Sequence, residues 1–422
     1  MSDSTVVVIG GGVIGLCIAW FARQAGFEVT VLERSTSNHS GCSLGNAGQI
    51  VPSHFEPLSS PVALRLAVRS LFDRASPLRV EPRLDPAWLR FSWHFLRHAT
   101  ARHVARSAPL LRDLSLLSRE LYTELDRQWQ GGFGFAPSGL LSLCESQGSL
   151  EAETAAIAHA RSLGIAAEPV SRADLARLEP ELRYQVAGAV LYSQDACLEP
   201  DRLHQQLERR LHAAGVPVLH EHEAVQFRVD RGNVRDVMVR SPQGEQAMRA
   251  AQYVIAAGAF SPALARTLGA RLVIEAGKGI SVTLDSPAVL PRHPAIMVDS
   301  RVAVTPMGRR LRFAGTMQFA GLDSSIPTAR LAPMLAAVAR HVPDISLEAL
   351  RAVPAWAGLR PCTPDGLPLL GRLSRFDNVV IASGHAMLGV SLGAVTGRLG
   401  AQLLARQTPA IALQALDPER FG

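Results

Sequence analysis

The residues able to do chemistry fall into four groups, and the first lies within the opening 34 positions. An apolar run, Val6-Val7-Val8-Ile9, meets Gly10-Gly11-Gly12-Val13-Ile14-Gly15, and the apolar pattern resumes from Leu16 to Ala22. A second strand-like run, Glu28-Val29-Thr30-Val31-Leu32, ends at Glu33 and Arg34. Strand, Gly-x-Gly-x-x-Gly turn, helix, strand and terminal acid is the order a dinucleotide site needs. Gly10 allows a tight turn, Gly12 admits a pyrophosphate to backbone N–H groups, and Gly15 lets the helix pack close to the strand. The helix N-terminus adds partial positive charge, and Glu33 can accept from ribose hydroxyls. An ordinary Gly-rich turn would leave Glu33 unexplained.

The second group is Gly41-Cys42-Ser43-Leu44-Gly45-Asn46-Ala47-Gly48-Gln49. Its small residues let the backbone run against a flat ring, while Ser43 and Asn46 can donate to phosphate or ring heteroatoms. A plain polar loop is the competing reading. The third group runs from Trp356 through Gly358-Leu359-Arg360-Pro361-Cys362-Thr363-Pro364-Asp365-Gly366 to Pro368. Three prolines and two glycines in it fix an irregular backbone near Arg360. A guanidinium held this way suits bidentate capture of a carboxylate; an interdomain salt bridge is the alternative. The fourth group, Gly384-His385-Ala386-Met387-Leu388-Gly389, follows the strand-like Val379–Ala382 and is expected to open a helix ending near Ala405. Backbone N–H groups at such a start favour negative charge.

Elements must position these groups. Residues 57–135 read as mostly helical, with periodic Leu110, Leu114, Leu117, Leu121 and Leu125. Gly139–Cys144 reads as a strand, Leu150–Leu163 as a helix, and Asp201–Ala214 as a helix opened by Pro200 and stopped by Gly215. Strands are expected at 216–219, 225–229, 234–240 and 253–256, and residues 270–320 alternate in short runs that suggest an antiparallel sheet. The fold class is therefore α/β: a Rossmann-like dinucleotide domain (1–56, 186–265 and 350–422) interwoven with an α+β substrate or cap domain (57–185 and 266–349) built on that sheet.

Composition narrows the function classes. The 422 residues are 47% hydrophobic and 19% charged, as in a globular enzyme. The formal charge of +6 comes almost wholly from dispersed arginines, without the basic stripe and interleaved aromatics of a nucleic-acid binder. Five cysteines, Cys17, Cys42, Cys144, Cys197 and Cys362, show no CxxC pair, which points to a reducing compartment and against a metal site. Met1-Ser2-Asp3-Ser4 has no basic n-region, and the longest apolar stretch, 379–392, is too short and too broken to span a bilayer. A cytoplasmic location is expected. Residues 62–72 and 86–97 mix large apolar groups with arginine; they suit either a cap helix on the enzyme or a peripheral contact with the inner face of a membrane.

Taken in order, the four groups resemble the D-amino-acid oxidase superfamily of FAD-dependent oxidoreductases, most closely its D-amino-acid dehydrogenase branch, over nearly the whole chain. The resemblance implies that Gly10, Gly12, Ile14, Gly15, Glu33, Arg34 and Val225 serve the ADP part of FAD. Cys42, Ser43, Asn46, Ala47, Gly48, Gln49, Gly258, Gly384, His385, Leu388 and Gly389 are the remaining expected cofactor residues, the Asn-Ala-Gly segment and the Gly-His turn flanking the flavin ring. Arg360 is expected to bind the substrate carboxylate. Some sarcosine-oxidase relatives tether the flavin through a cysteine two places before this arginine; here that place is Gly358, so non-covalent FAD is expected. The segment Ile50-Val51-Pro52-Ser53-His54-Phe55 departs from the commonest dehydrogenase pattern and resembles a subgroup acting on proline-type substrates such as cis-4-hydroxy-D-proline. His54 would then hold a substrate hydroxyl or assist deprotonation, with a structural role equally open. Lys278, the only lysine, falls where relatives carry a Lys-Gly pair near the active-site sheet. The implied reaction is hydride transfer from Cα of a D-amino or D-imino acid to flavin N5, with a quinone or another acceptor taking the electrons. A glycine- or sarcosine-type oxidase using O2, and an electron-relay flavoprotein subunit, are the alternatives.

Overall fold

A computed structural model describes residues 4–36, 41–70 and 76–422. The opening apolar run becomes the strand Thr5–Ile9 in the middle of a six-stranded sheet. Its order is Leu369–Leu373, Phe376–Ser383, Gln252–Ile255, Thr5–Ile9, Glu28–Leu32 and Val218–Leu219. All neighbours are parallel except the first pair. Covered on both faces, these strands read as unbroken apolar runs rather than alternating ones. The helices Val13–Gln24 and Gly393–Leu404 pack together against one face. Their approach needs Gly397, where a Cβ would lie 2.8 Å from the Cys17 backbone. The long helix Ala101–Trp129, capped by Thr100 accepting from the His103 N–H, adds Leu111, Leu114, Leu121 and Leu125 to the same core.

The second sheet has nine strands among the described residues. Its path is Ala355–Cys362, Glu275–Asp285, Arg310–Phe319, Val302–Met307, Ala295–Met297, Leu140–Cys144, Gly188–Tyr192 and Ala167–Val170, with Leu78–Val80 beside Arg310–Phe319. It is antiparallel except where Ala295–Met297 meets Leu140–Cys144 and where Leu78–Val80 joins. One face buries Ile280, Val282, Leu284 and Phe313 against Met334, Leu335 and Val338 of the helix Thr328–His341. The other face meets the 44–49 loop. Arg312 donates to the Leu44 and Asn46 carbonyls at 2.9 and 2.7 Å, and Gln49 Nε2 donates to the Ala295 carbonyl and Thr305 Oγ1. A small antiparallel sheet, Glu223–Asp230, Asn233–Ser241 and Gly244–Met248, completes the nucleotide side.

Three expectations change. The helical stretch 57–135 holds the helices Pro61–Ser70, Pro86–His98 and Ala101–Trp129, but also the strand Leu78–Val80; Leu71 and Phe72 of the apolar–arginine stretch lie outside the described residues. The Gly384–Gly389 turn does not open the long helix. Ala386 sits at φ +47°, which α-helix cannot continue through, so a 3-10 turn, Ala386–Leu388, intervenes and the helix starts at Gly393. Finally, Gly188–Tyr192 and Ala355–Cys362, from ranges expected for the nucleotide domain, pair within the large sheet.

Candidate active site

The cleft begins at the C-terminal ends of the parallel strands. Gly10 has φ +115°, and a Cβ there would lie 2.4 Å from the Ala256 carbonyl oxygen. At Gly15 a Cβ would lie 1.9 Å from the Gly10 carbonyl oxygen, so only glycine lets the helix sit on the turn. Glu33 accepts from the Gly11 N–H at 2.8 Å and the Ser35 N–H at 2.9 Å, which clamps the second strand end to the glycine turn. The cavity that opens here holds about 410 Å³. Glu33, Arg34, His222, Val225 and Phe260 line it at one end, with Arg34 stacked 3.6 Å over the Phe260 ring. Gly10, Gly12, Ile14 and Ser43 form the middle, while Cys42, Asn46, Leu359, Pro361, His385 and Gly389 stand towards the large sheet. Gly258 also lines it, its carbonyl held by Ser383 Oγ.

Hydrogen bonds and close packing hold this wall in place. Asn46 Oδ1 accepts from the Gly48 N–H at 2.8 Å, folding the loop back on itself. Ser43 Oγ accepts from the Val13 N–H at 3.1 Å, and its own hydrogen is left to donate into the cavity it lines. Gln49 is turned into the sheet by its bonds to Ala295 and Thr305, and a Cβ on Gly48 would meet the Leu198 carbonyl at 2.2 Å. Ala47, Gly384 and Leu388 adjoin lining residues without lining the cavity themselves. His385 is 3% exposed, and burial lowers its pKa to about 3, so the ring is neutral. Its Nε2 contacts Thr396 Oγ1 at 2.9 Å, while its Nδ1, buried, has no protein partner.

Arg360 lies on the edge strand between Leu359 and Pro361, both cavity-lining, but does not itself line the 410 Å³ cavity. Its guanidinium lies across Gly279 of the neighbouring strand, where a Cβ would be 2.1 Å from Cζ. Nη1 donates to the Thr316 carbonyl at 2.7 Å. Thr316 sits at φ +60°, costly for a β-branched residue, in a bulge that turns this carbonyl toward the arginine. Burial lowers the Arg360 pKa; the group stays a cation all the same. Burial also raises the nearby Cys42 thiol to about 11, opposed by the Arg360 charge. Trp356 fills the space over Gly45 and Gly358, where a Cβ would lie 2.1 Å from the ring in either case.

Lys278 is not brought to Arg360. Register pairs Gly277 with Arg360 and Lys278 with Leu359, so the alternation of the strand sends Lys278 to the opposite face. There its Nζ, fully buried, donates to Asp323 Oδ2 at 2.9 Å and to the Ser325 carbonyl at 2.7 Å. His54 lies outside the 410 Å³ cavity, with Nδ1 3.2 Å from Ser53 Oγ, and burial lowers its pKa to about 4. Arg312, Thr316 and Phe260 were not singled out from sequence, and Trp356 only as the first residue of the third group. Trp356 and Phe260 stand beside Gly-containing motifs and were within reach. Nothing in the sequence marks Arg312 among so many arginines. Among the described residues no His, Cys, Asp or Glu cluster could hold a metal ion, and no helix is long and apolar enough to cross a membrane.

A dinucleotide cradle at one end, an orphaned neutral imidazole in the wall and an elongated cavity between fit FAD. The profile of the DAO family, FAD dependent oxidoreductases, matches residues 5–403. A D-amino acid dehydrogenase of Rhodopseudomonas palustris is 30% identical over 99% of this chain and 97% of its own. Among solved structures, glycine oxidase from Geobacillus kaustophilus superposes with a TM-score of 0.77 at 22% identity, covering 98% of each chain. L-proline dehydrogenase from P. horikoshii does so at 0.70 and 19%, covering 99% of this chain and 97% of that one. With the family profile spanning almost the whole chain and the cleft built to receive its cofactor, this protein belongs to the DAO family of FAD-dependent oxidoreductases.

Proposed function

We propose that this enzyme oxidises the Cα–N bond of a D-amino or D-imino acid, a proline-type compound such as cis-4-hydroxy-D-proline being the favoured substrate. The placement of Arg360 carries the reading: a half-buried, fixed cation between two cavity-lining residues, over a glycine. The FAD-binding residues would be Gly10, Gly12, Glu33, Ser43, Asn46, Val225 and His385, and bound FAD supplies the two-electron acceptor. Arg360 would take the substrate carboxylate and so set which Cα face meets the cleft. Met317 lies over Gly277 and Trp356 over Gly358, which narrows the space beside the guanidinium and suits a compact side chain. The named D-amino acid dehydrogenase relative supports the D configuration. Anaerobic mixing with D-alanine, D-proline, cis-4-hydroxy-D-proline, glycine and sarcosine tests this: flavin bleaching by the cyclic D-imino acids first is expected. Bleaching by none of them would overturn it.

A specific observation favours a quinone over O2 as acceptor. Six of the nine exposed large hydrophobics among the described residues, Val62, Val68, Leu84, Leu89, Trp93 and Leu96, lie on or beside the helices Pro61–Ser70 and Pro86–His98. Leu89, Trp93 and Leu96 fall at i, i+4 and i+7, and Arg65, Arg69, Arg90 and Arg97 accompany them with no Asp or Glu in either helix. An apolar pocket of about 150 Å³ between the helices reaches Phe319, two residues beyond Met317, whose Sδ lies 3.8 Å from Arg360 Nη1. Such a face suits anionic lipid and a lipid-dissolved acceptor. Sedimentation with phosphatidylglycerol vesicles, lost in Trp93→Glu, is the expected result. Fast flavin reoxidation by air would instead mark an oxidase.

A further inference from the structure

We propose that Asp195, acting through Ser53, receives the proton that His54 removes from the substrate's ammonium group. This rests on the amine-oxidising function proposed above and requires bound substrate to reach past the 410 Å³ cavity to His54, which lies outside it. The arrangement is built by a two-stranded ribbon in which Gln49–Ile50 pairs with Ala196–Cys197, so the loop leaving the ribbon folds back onto Asp195. Asp195 is fully buried. Ser53 donates to it twice, from its N–H to Oδ1 at 3.0 Å and from Oγ to Oδ2 at 2.5 Å. The same Oγ lies 3.2 Å from His54 Nδ1. A hydroxyl has one hydrogen, and here two neighbours compete for it.

That competition links protonation at Asp195 to the tautomer of His54. With Asp195 ionised, Ser53 Oγ donates to the carboxylate, His54 Nδ1–H donates to Ser53 Oγ, and Nε2 is bare. With Asp195 protonated, its O–H donates to Ser53, Ser53 donates to Nδ1, and Nε2 carries the hydrogen. Passing from the first state to the second moves one proton inward. The substrate N–H bond breaks and an Nε2–H bond forms; Nδ1 releases its hydrogen to Ser53 Oγ, and Ser53 releases its own to Asp195. Ammonium becomes neutral amine, carboxylate becomes neutral acid, and the imidazole ends neutral. A neutral amine keeps the lone pair that helps expel hydride from Cα.

The electrostatics suit a relay better than a lone histidine base. Burial, assisted by the Arg301 charge, lowers His54 to about 4, so the ring alone would not keep a second proton near neutral pH. Burial raises Asp195 to about 7, against the opposing Ser53 hydrogen bonds and the Arg119 charge. The other ionisable groups facing the cluster are Tyr192 beside Asp195, and Glu153 and Glu56 beside Arg301. Burial raises both Tyr192 and Glu153. Ser53 and Asp195 are positioning residues here; only His54 would touch substrate.

The test uses the FAD-loaded enzyme and whichever compound of the panel bleaches the flavin fastest. Wild-type bleaching rates should fall below a midpoint near 7, where Asp195 ionises. Asp195→Asn and Ser53→Ala should each remove that midpoint and slow bleaching about a hundredfold at pH ~8. Benzoate, a plain carboxylate, should bind both variants as it binds wild type, which a merely structural lesion would not allow. Infrared difference spectra on anaerobic reduction by substrate should show a new protonated-carboxyl band in wild type that is missing in Asp195→Asn. An unaltered pH midpoint in Asp195→Asn, or no carboxyl band in wild type, would sink the relay. Should the variants fail to keep FAD, the wild-type infrared spectrum decides. Failure of every panel compound to bleach wild type would instead sink the functional reading beneath it.

Discussion

Arg360 and Lys278 lie one register row apart on neighbouring strands, yet they belong to different worlds. On the face that meets the 44–49 loop, where Trp356 packs on Gly45, Arg360 is anchored by one carbonyl and spread over a glycine. On the opposite face Lys278 is fully buried and satisfied by Asp323 and the Ser325 carbonyl. A cation with its fork lying against empty backbone can still take an anion; one already paired with a carboxylate is finished. What distinguishes them is the alternation of a pleated strand together with the small residues, Gly277, Gly279 and Gly358, on the Arg360 side.

The largest expected effect tests the Arg360 side. Arg360→Ala should cost on the order of 2–5 kcal/mol in kcat/KM, through loss of a desolvated charge pair with the substrate carboxylate. Steady-state kinetics at low substrate checks this, and an unchanged value would erase the contrast. Gly279→Val should come next. Its side chain occupies the place of the guanidinium, so KM should rise about tenfold or more while FAD absorbance stays normal.

Buried titrating groups give a further effect, of about 3–4 kcal/mol where a shift spans two to three units. Asp195 has a folded pKa raised to about 7 from 3.8, so the folded state holds a proton the unfolded chain has lost. Its contribution to stability therefore falls as pH rises from about 4 to 7, and Asp195→Asn should raise Tm above pH ~7. His54 and His385 have lowered folded values of about 4 and about 3, so their sign is reversed. Stability is lost as pH drops below 6.5, where the unfolded chain takes up protons first. Thermal melts across pH 4–8 in wild type and Asp195→Asn separate the two trends. The smallest effect belongs to Lys278. Lys278→Met should leave KM within about twofold and stability within about 1 kcal/mol, since Asp323 is half exposed and can be hydrated instead. A large rise in KM would place Lys278 in the substrate site after all.

The dinucleotide cleft was legible because its chemistry is local. Gly10, Gly12, Gly15 and Glu33 act within one strand–turn–helix–strand unit, and spacing alone brings the Gly11 N–H to Glu33. Gln49 was harder: its residue type fits a cofactor contact, but it donates into a sheet formed some 250 positions later in the chain. Arg312 was invisible for the same reason, since its role depends on two carbonyls about 270 residues away. The Gly384–Gly389 turn failed as a helix start because sequence does not reveal that Ala386 adopts a left-handed conformation.

By itself, then, the sequence determined the cofactor class and the parallel sheet, because short-range glycine geometry and apolar runs need no distant partner. It also marked Arg360 through the prolines and glycines that stiffen its surroundings. Only tertiary structure decided which cation lies on the face that meets the 44–49 loop, because that depends on strand register, where one residue's shift exchanges the two faces. It alone joined Asp195 to Ser53 and His54, because a hydrogen bond between positions 142 apart in sequence exists only once the ribbon between them has formed.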